Sequence, residues 1–359
     1  MKSSENGSGA GRERVGVEEP QTRAEPTEVR MIRSEVERGL RGQPRSLPCR
    51  FFYDARGAQL FEQITRLEEY YLTDAEMEIL RRRASRVAEL VGPGVRMVEY
   101  GSGSGDKTWI VLGELEEPTA YVPIDVAREQ LMSFSDEVRA EFPDVEVLPV
   151  VADYTRLSSL PWPTEEAGAT LAFFPGSTVG NLEPQEAVQF LSDVAGQIGD
   201  GEFLLLGTDL VKDRTVLERA YNDAEGVTAA FNRNILHHLN RLLGADFDPE
   251  AFAHRAIWNE PASRIEMHLV SRRDQVISLG GERTRENPIR IREGEVVVTE
   301  HSYKYSVSGL HTLAARAGYR PVEWWTDEAN LFAVHLLQTG RRTRPTQEGR
   351  AGEGRSVRS

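Results

Sequence analysis

The sequence predicts a doubly wound α/β domain interrupted by an inserted α+β lobe, and three observations carry that prediction. Short apolar runs alternate with helix-period segments from Val95 to Asp209. Between residues 210 and 305 this rhythm gives way to a long helical stretch and then to period-two alternation. The first rhythm returns at Val307. Alternating units of this kind build a parallel sheet covered by helices on both faces.

The elements follow in order. Residues 1–30 are poor in apolar side chains and rich in Gly, Glu and Ser, which predicts a disordered tail. Residues 47–73 mix turn residues with the aromatics Phe51, Phe52, Tyr53, Phe61, Tyr70 and Tyr71. Thr73 followed by Glu76 reads as a capping box. Met77, Leu80, Ala84, Val87 and Val91 then recur at helical spacing until Gly92-Pro93. Strands are expected at 96–100, 120–124, 145–151, 170–174 and 202–208. A helix before the last of these carries Ala187, Leu191, Val194 and Ile198 on one face. Residues 215–243 read as helix, with Phe231, Ile235, Leu239 and Leu242 along one side and Gly244 as terminator. Residues 264–305 read as antiparallel strands, because Ile265, Met267 and Leu269 alternate with Glu266 and His268. Gly280-Gly281 and Glu293-Gly294 mark turns. A helix over 307–317 and strands at 322–326 and 331–338 close the domain, and 341–359 is a second disordered tail.

The segment Met97-Val98-Glu99-Tyr100-Gly101-Ser102-Gly103-Ser104-Gly105-Asp106-Lys107 is a buried strand ending in a tight glycine turn, where backbone can approach a ligand closely. Further on, Tyr121-Val122-Pro123-Ile124-Asp125 ends a second strand on an acid, well placed for ribose hydroxyls. Dinucleotide folds use G-x-G-x-x-G and place a pyrophosphate on the following helix. Here the spacing is G-x-G-x-G and Asp106 follows, which disfavours a pyrophosphate. The pattern resembles the first motif of S-adenosylmethionine-dependent methyltransferases, whose cofactor has no phosphates. Asp125, Asp153 and Pro175–Asn181 all fall at carboxyl ends of strands, where such sheets bind ligands.

Composition narrows the classes. A content of 39% hydrophobic and 28% charged residues suits a soluble globular chain, and the net charge of −14 disfavours a polynucleotide substrate. The acid sits in the body; the tail 341–359 carries six arginines against Glu348 and Glu353. No apolar run reaches transmembrane length, and the N-terminus lacks a signal-peptide core, so a cytoplasmic location and no membrane partner are expected. The single cysteine, Cys49, excludes an internal disulfide. The seven histidines show no metal-ligand spacing, and no metal is expected.

Several stretches in order resemble the trimethylating histidine Nα-methyltransferases that make hercynine in ergothioneine biosynthesis. They are Phe52-Tyr53-Asp54, Leu60–Thr65, Glu69-Tyr70-Tyr71, Gly101–Lys107, Phe174–Leu182, Ala220-Tyr221-Asn222-Asp223 and Thr299-Glu300-His301-Ser302. The resemblance spans roughly Leu47 to Thr339. It implies a class I S-adenosylmethionine-dependent methyltransferase fold, Rossmann-like and doubly wound, with an inserted α+β substrate-binding domain. Residues 31–75 with 210–305 would form that domain, and 76–209 with 306–340 the cofactor-binding one. The expected enzyme is a monomer acting on free L-histidine.

The resemblance also implies roles. Gly101, Lys107, Asp125, Asp153 and the Tyr154 backbone would hold S-adenosylmethionine, with Lys107 meeting its methionyl carboxylate and Asp153 its adenine. Asn181 would orient the α-amino and carboxylate groups of histidine, and Tyr70 and Tyr221 would donate to the carboxylate. Tyr53 and Asn181 would act at the methylated amine. Glu300 and Ser302 would hold the imidazole, and Met267 would line its pocket. Taken singly, Tyr70 and Met267 read as core, Asp153 as a turn or cap, and Asn181 as a turn. An alternative within the same fold is N-methylation of another amino acid or an indole amine, and an NAD-type binding protein is a further one.

Overall fold

The computed structural model describes residues 26–340 except 104, 158, 162–166 and 281–285. The expectations for 1–25, 341–359 and Gly281 lie outside the described residues. The chain begins with α1 (Thr27–Arg41), β1 (Arg45–Ser46), α2 (Ala55–Ile64) and α3 (Leu72–Val91). The alternating part runs β2 (Val95–Tyr100), α4 (Asp106–Leu112), β3 (Ala120–Asp125), α5 (Arg128–Glu141), β4 (Glu146–Val147), β5 (Val150–Val151), β6 (Ala169–Phe174), α6 (Pro184–Ile198) and β7 (Phe203–Asp209). Then come α7 (Arg214–Ala220), α8 (Val227–Leu243), β8 (Phe252–Asn259), β9 (Arg264–Ser271), β10 (Gln275–Ile277), β11 (Ile289–Ile291) and β12 (Val296–Tyr303). The last elements are α9 (Val307–Arg316), β13 (Tyr319–Thr326) and β14 (Phe332–Thr339).

The main sheet has the order β13-β14-β7-β6-β2-β3-β4, with β5 also pairing to β3. A second sheet has the order β1-β12-β9-β8, and β10 pairs with β11. Period-two alternation sends successive side chains of the main sheet into two cores. Met97, Tyr121, Phe173 and Leu205 pack beneath α3 and α4. Val98, Val122, Phe174 and Leu206 pack beneath α6 and α9, against Leu191, Val194 and Leu310. Strand β2 is the switch point: the chain leaves it for β3 on one side and later returns to β6 on the other. The crevice over its carboxyl end is where such sheets take ligands.

Five expectations are corrected. The sheet is mixed: β14 runs antiparallel to β7 and to β13, because a short turn at Asp327–Leu331 cannot join parallel strands. The strand expected at 145–151 is two short pieces, since Pro149 between them has no N–H for the ladder. The helix expected at 215–243 breaks at Tyr221–Gly226, where Gly226 adopts φ +75° and the Asp223 carboxylate caps the N–H groups of Val227 and Thr228. The capping box is absent: α3 starts at Leu72, and Glu76 is fully buried inside it. Helix α1 also begins at Thr27, within the segment expected to be disordered. Helices α2 and α5 and strand β8 had no strong signal; β8 buries its residues irregularly.

Candidate active site

At the cofactor end, β2 delivers Gly101 at φ +81°, and Gly105, also at +81°, opens α4. A Cβ on Gly105 would lie 2.1 Å from the Phe134 ring, so only glycine fits there. Asp125 ends β3 and turns toward the same loop, its Oδ2 accepting the Gly103 N–H at 3.2 Å and its Oδ1 the Ala127 N–H at 2.9 Å. Asp153 follows β5; its Oδ1 accepts from the Thr155 N–H (3.0 Å) and hydroxyl (2.6 Å), so it is the helix cap its residue type suggests. The adjacent Tyr154 ring packs on Phe174 and Phe190, each at 5.6 Å, and lies 3.7 Å from where a Gly101 Cβ would stand.

Lys107 has a partner that the sequence did not reveal. Its Nζ lies 2.6 Å from Oε2 of the buried Glu76. Glu76 in turn accepts the Gly176 N–H at 2.8 Å, tying α3 and α4 to the turn after β6. An ammonium has three hydrogens, so Lys107 keeps donor capacity for a ligand carboxylate. Open backbone at Gly101, an acid at Asp125 and this lysine fit a carboxylate-bearing nucleoside.

At the other end, Glu300 and Ser302 share a face of β12 and both are buried. A bulge between Val298 and Glu300 turns the Thr299 hydroxyl onto Asn232 (2.7 Å) and aims Glu300 independently of the strand before it. Met267 stands opposite Glu300 on β9. Tyr221 ends α7 and shares a 2.9 Å hydrogen bond with the Ser302 hydroxyl. The Tyr70 ring lies 6.3 Å from that of Tyr221, and Phe61 supports both Tyr70 and Tyr53. Asn181 ends the short turn after β6. A Cβ on Gly180 would stand 2.7 Å from the Tyr303 carbonyl, so glycine lets this turn meet β12 beside Ser302.

Glu300 accepts no hydrogen bond among the described residues. Burial pushes its carboxyl up to about 7, against the pull of Lys304. Burial and then the Glu300 charge raise the Tyr53 phenol, while Tyr70 is raised by burial and Tyr221. These groups therefore sit within electrostatic reach of each other, and Tyr53 also feels Tyr154 at the cofactor end.

Sequence reasoning missed the charged support under this site. Asp209 ends β7 fully buried. It accepts from the Tyr71 hydroxyl (2.9 Å), from Lys304 Nζ (2.8 Å) and from Lys212. Burial depresses Lys212 to about 8. Glu183, before α6, accepts from His301 Nδ1 (2.5 Å), the Tyr303 hydroxyl (2.6 Å) and Arg264 (3.3 Å), fastening the main sheet's side to the outer face of β9 and β12. Only Lys304 carried a usable signal: it continues the Glu300–Ser302 spacing by two more residues.

A glycine loop and acid at the switch point of a doubly wound sheet, with a second sheet that carries the buried Glu300 and Ser302, define a class I S-adenosylmethionine-dependent methyltransferase. The profile described as "Histidine-specific methyltransferase, SAM-dependent" matches residues 32–339. Histidine N-alpha-methyltransferases of Mycolicibacterium smegmatis and Mycobacterium tuberculosis are each 42% identical over 309 residues, covering 85% of this chain and 94% of theirs. Ergothioneine biosynthesis protein 1 of Neurospora crassa is 30% identical over 307 residues, covering 83% of this chain and 34% of that one. The chain belongs to the S-adenosylmethionine-dependent histidine-specific methyltransferases.

Proposed function

We propose that the enzyme methylates the α-amino nitrogen of L-histidine three times, giving hercynine for ergothioneine biosynthesis. One observation carries the reading. Glu300 is a largely buried carboxyl, 9% exposed, that accepts no hydrogen bond among the described residues and so is open to a donor from a ligand. A ring N–H is such a donor, and the Ser302 hydroxyl beside it meets the second ring nitrogen. The Mycolicibacterium smegmatis relative's name gives the same substrate and nitrogen, and the Neurospora relative's name gives the pathway.

In this reading residues 31–75 and 210–305 form the substrate-binding unit, and 76–209 and 306–340 the cofactor-binding unit. Gly101, Lys107, Asp125, Asp153 and Tyr154 hold the cofactor, which when bound supplies an activated sulfonium methyl. Tyr70 and Tyr221 donate to the substrate carboxylate, Asn181 spans carboxylate and amine, and Met267 closes the ring pocket. Tyr53 and Asn181 orient the amine lone pair. An α-amino group has an ordinary pKa of about 8, so a useful neutral fraction exists without a strong base. Proximity is then the main catalytic contribution. Each methylation releases one proton and removes one donor, so acceptors near the amine matter most in the first two rounds.

Mass spectrometry of histidine incubated with enzyme and S-adenosylmethionine tests the reading. A gain of three methyl groups on the α-nitrogen is expected. Absence of methylated histidine, or methylation on the ring, overturns it.

A further inference from the structure

The turn that carries Asn181 is fastened on both sides. Toward the cofactor, the Gly176 N–H meets the buried Glu76 at 2.8 Å, and the Ser177 hydroxyl accepts the Asp209 N–H at 2.9 Å. Toward the substrate, Gly180 packs on the Tyr303 carbonyl. Two residues past Asn181, the Glu183 carboxylate takes three donors: His301 Nδ1, the Tyr303 hydroxyl and Arg264. All three stand on the outer face of β9 and β12, opposite to the face that carries Glu300 and Ser302. Glu183 is half exposed, so a single ion pair there would add little. Three donors on one carboxylate, with Tyr303 buried and Arg264 held in turn by Glu266 at 2.7 Å, make a network instead. Against the rise that burial brings, the contacts with Tyr303 and His301 hold the Glu183 carboxyl below the usual range, so it is ionised at neutral pH.

The Asn181 amide makes no hydrogen bond among the described residues, so its place depends on the backbone that carries it. In the proposed reaction that place matters unequally over the three rounds. A primary amine brings two N–H groups and a secondary amine one, each able to hold the nitrogen on the Asn181 carbonyl. Dimethylhistidine, deprotonated for the last transfer, brings none. Its nitrogen must meet the methyl donor through the frame alone, and a misplacement of about 1 Å can cost ~10²-fold in rate.

We propose that Glu183 is a positioning residue: it clips the Asn181 turn to the outer face of the strand whose inner face carries Glu300 and Ser302, and so keeps the amine end of the substrate in register with its ring end for the third methylation. This rests on the trimethylation of histidine proposed above. Loosening the clip leaves the first rounds guided by the amine's own hydrogen bonds and exposes the last.

The test uses the full-length enzyme with S-adenosylmethionine and either histidine or Nα,Nα-dimethylhistidine, with products resolved by mass spectrometry. Glu183→Ala should lower kcat on dimethylhistidine by ~10-fold or more, but the first methylation of histidine by no more than ~3-fold, with KM for S-adenosylmethionine within ~2-fold of the parent's. Dimethylhistidine should therefore accumulate. Glu183→Gln keeps one acceptor oxygen and should restore part of the last step. Tyr303→Phe removes one donor without touching Glu183 and should act in the same direction, with little further effect in a Glu183→Ala background. It also carries the test alone if Glu183→Ala does not fold. Glu186, whose carboxylate accepts the Glu183 N–H at 3.1 Å at the start of α6, is the control, and Glu186→Ala should leave the product pattern unchanged. Equal losses on histidine and dimethylhistidine in Glu183→Ala, or the same accumulation in Glu186→Ala, would make Glu183 a structural residue only and overturn the proposal. A parent enzyme that forms no trimethylhistidine would instead remove the reading beneath it.

Discussion

Glu300 concentrates the chemistry of this site in one side chain. Its carboxyl is raised to about 7 by burial, with Lys304 opposing the rise. Above that value it is a pure acceptor for a ring N–H; below it the carboxyl proton competes with the substrate's. In the proposed reading kcat/KM for histidine therefore falls as pH drops through 7, and Glu300→Gln moves that acid limb because the amide does not titrate. Identical limbs in both proteins would show that the titrating group lies elsewhere. Glu300→Ala should lower histidine turnover by ~10- to 100-fold, the size expected for a hydrogen bond to a charged group. It should also relax the preference toward bulkier aromatic amino acids, because no buried charge is then left unpaired when they bind. A competition assay with histidine and tryptophan, read as the ratio of methylated products, measures this directly.

At the scale of elements, legibility followed local physics. Strands β2, β3, β6 and β7 are apolar runs bounded by turn residues, and their expected limits lie close to those found. Irregular burial hid β8, and the nonlocal partner of a buried charge hid the role of Glu76. Three residues after Thr73, Glu76 satisfies the capping pattern, yet its carboxylate serves Lys107 and the Gly176 N–H from inside α3. Among the proposed site residues, those read from a strand tip or glycine turn needed no partner to be seen. The support from Asp209 and Glu183 depends on how β12 meets β7 and α6, which no local spacing encodes; for Lys304 the spacing gives the face of the strand but not its buried partner Asp209. The Glu76 contact also explains Gly207 on β7. A Cβ there would lie 2.1 Å from Glu76 Oε1 and 3.1 Å from the Phe332 ring. Gly207→Ala must therefore displace the carboxylate, at ~1–3 kcal/mol of stability. Lys107 would shift with it, so calorimetry should show S-adenosylhomocysteine binding weakened more than histidine binding. Equal weakening of both would argue for general unfolding rather than a local effect.

Across the whole molecule, buried carboxyls set how stability depends on pH. Glu99, one residue before the end of β2, accepts from the Thr108 hydroxyl at 2.7 Å and from the Tyr121 hydroxyl, and burial raises it to about 8. Glu300 is raised to about 7. In the unfolded chain both titrate near the ordinary carboxyl value of about 4.3. Between that value and its folded one, each group holds its proton better in the folded state, so rising pH destabilises the fold by up to ~1.4 kcal/mol per pH unit per group. His335 works in the opposite direction. Its imidazole is depressed to about 3 by burial, which costs stability as pH falls below its unfolded value of about 6.5 but adds no slope above it. From pH ~6.5 to 8 the two carboxyls therefore act without opposition from His335. The melting temperature should fall across this window. Glu99→Gln keeps a carbonyl for the two hydroxyls and removes one titration, so its curve should be flatter, above all between 7 and 8, where Glu300 has already ionised. A mutant curve parallel to the parent's would mean that Glu99 is ionised in the fold despite its burial, and that Lys107, which already pulls its carboxyl downward, neutralises it.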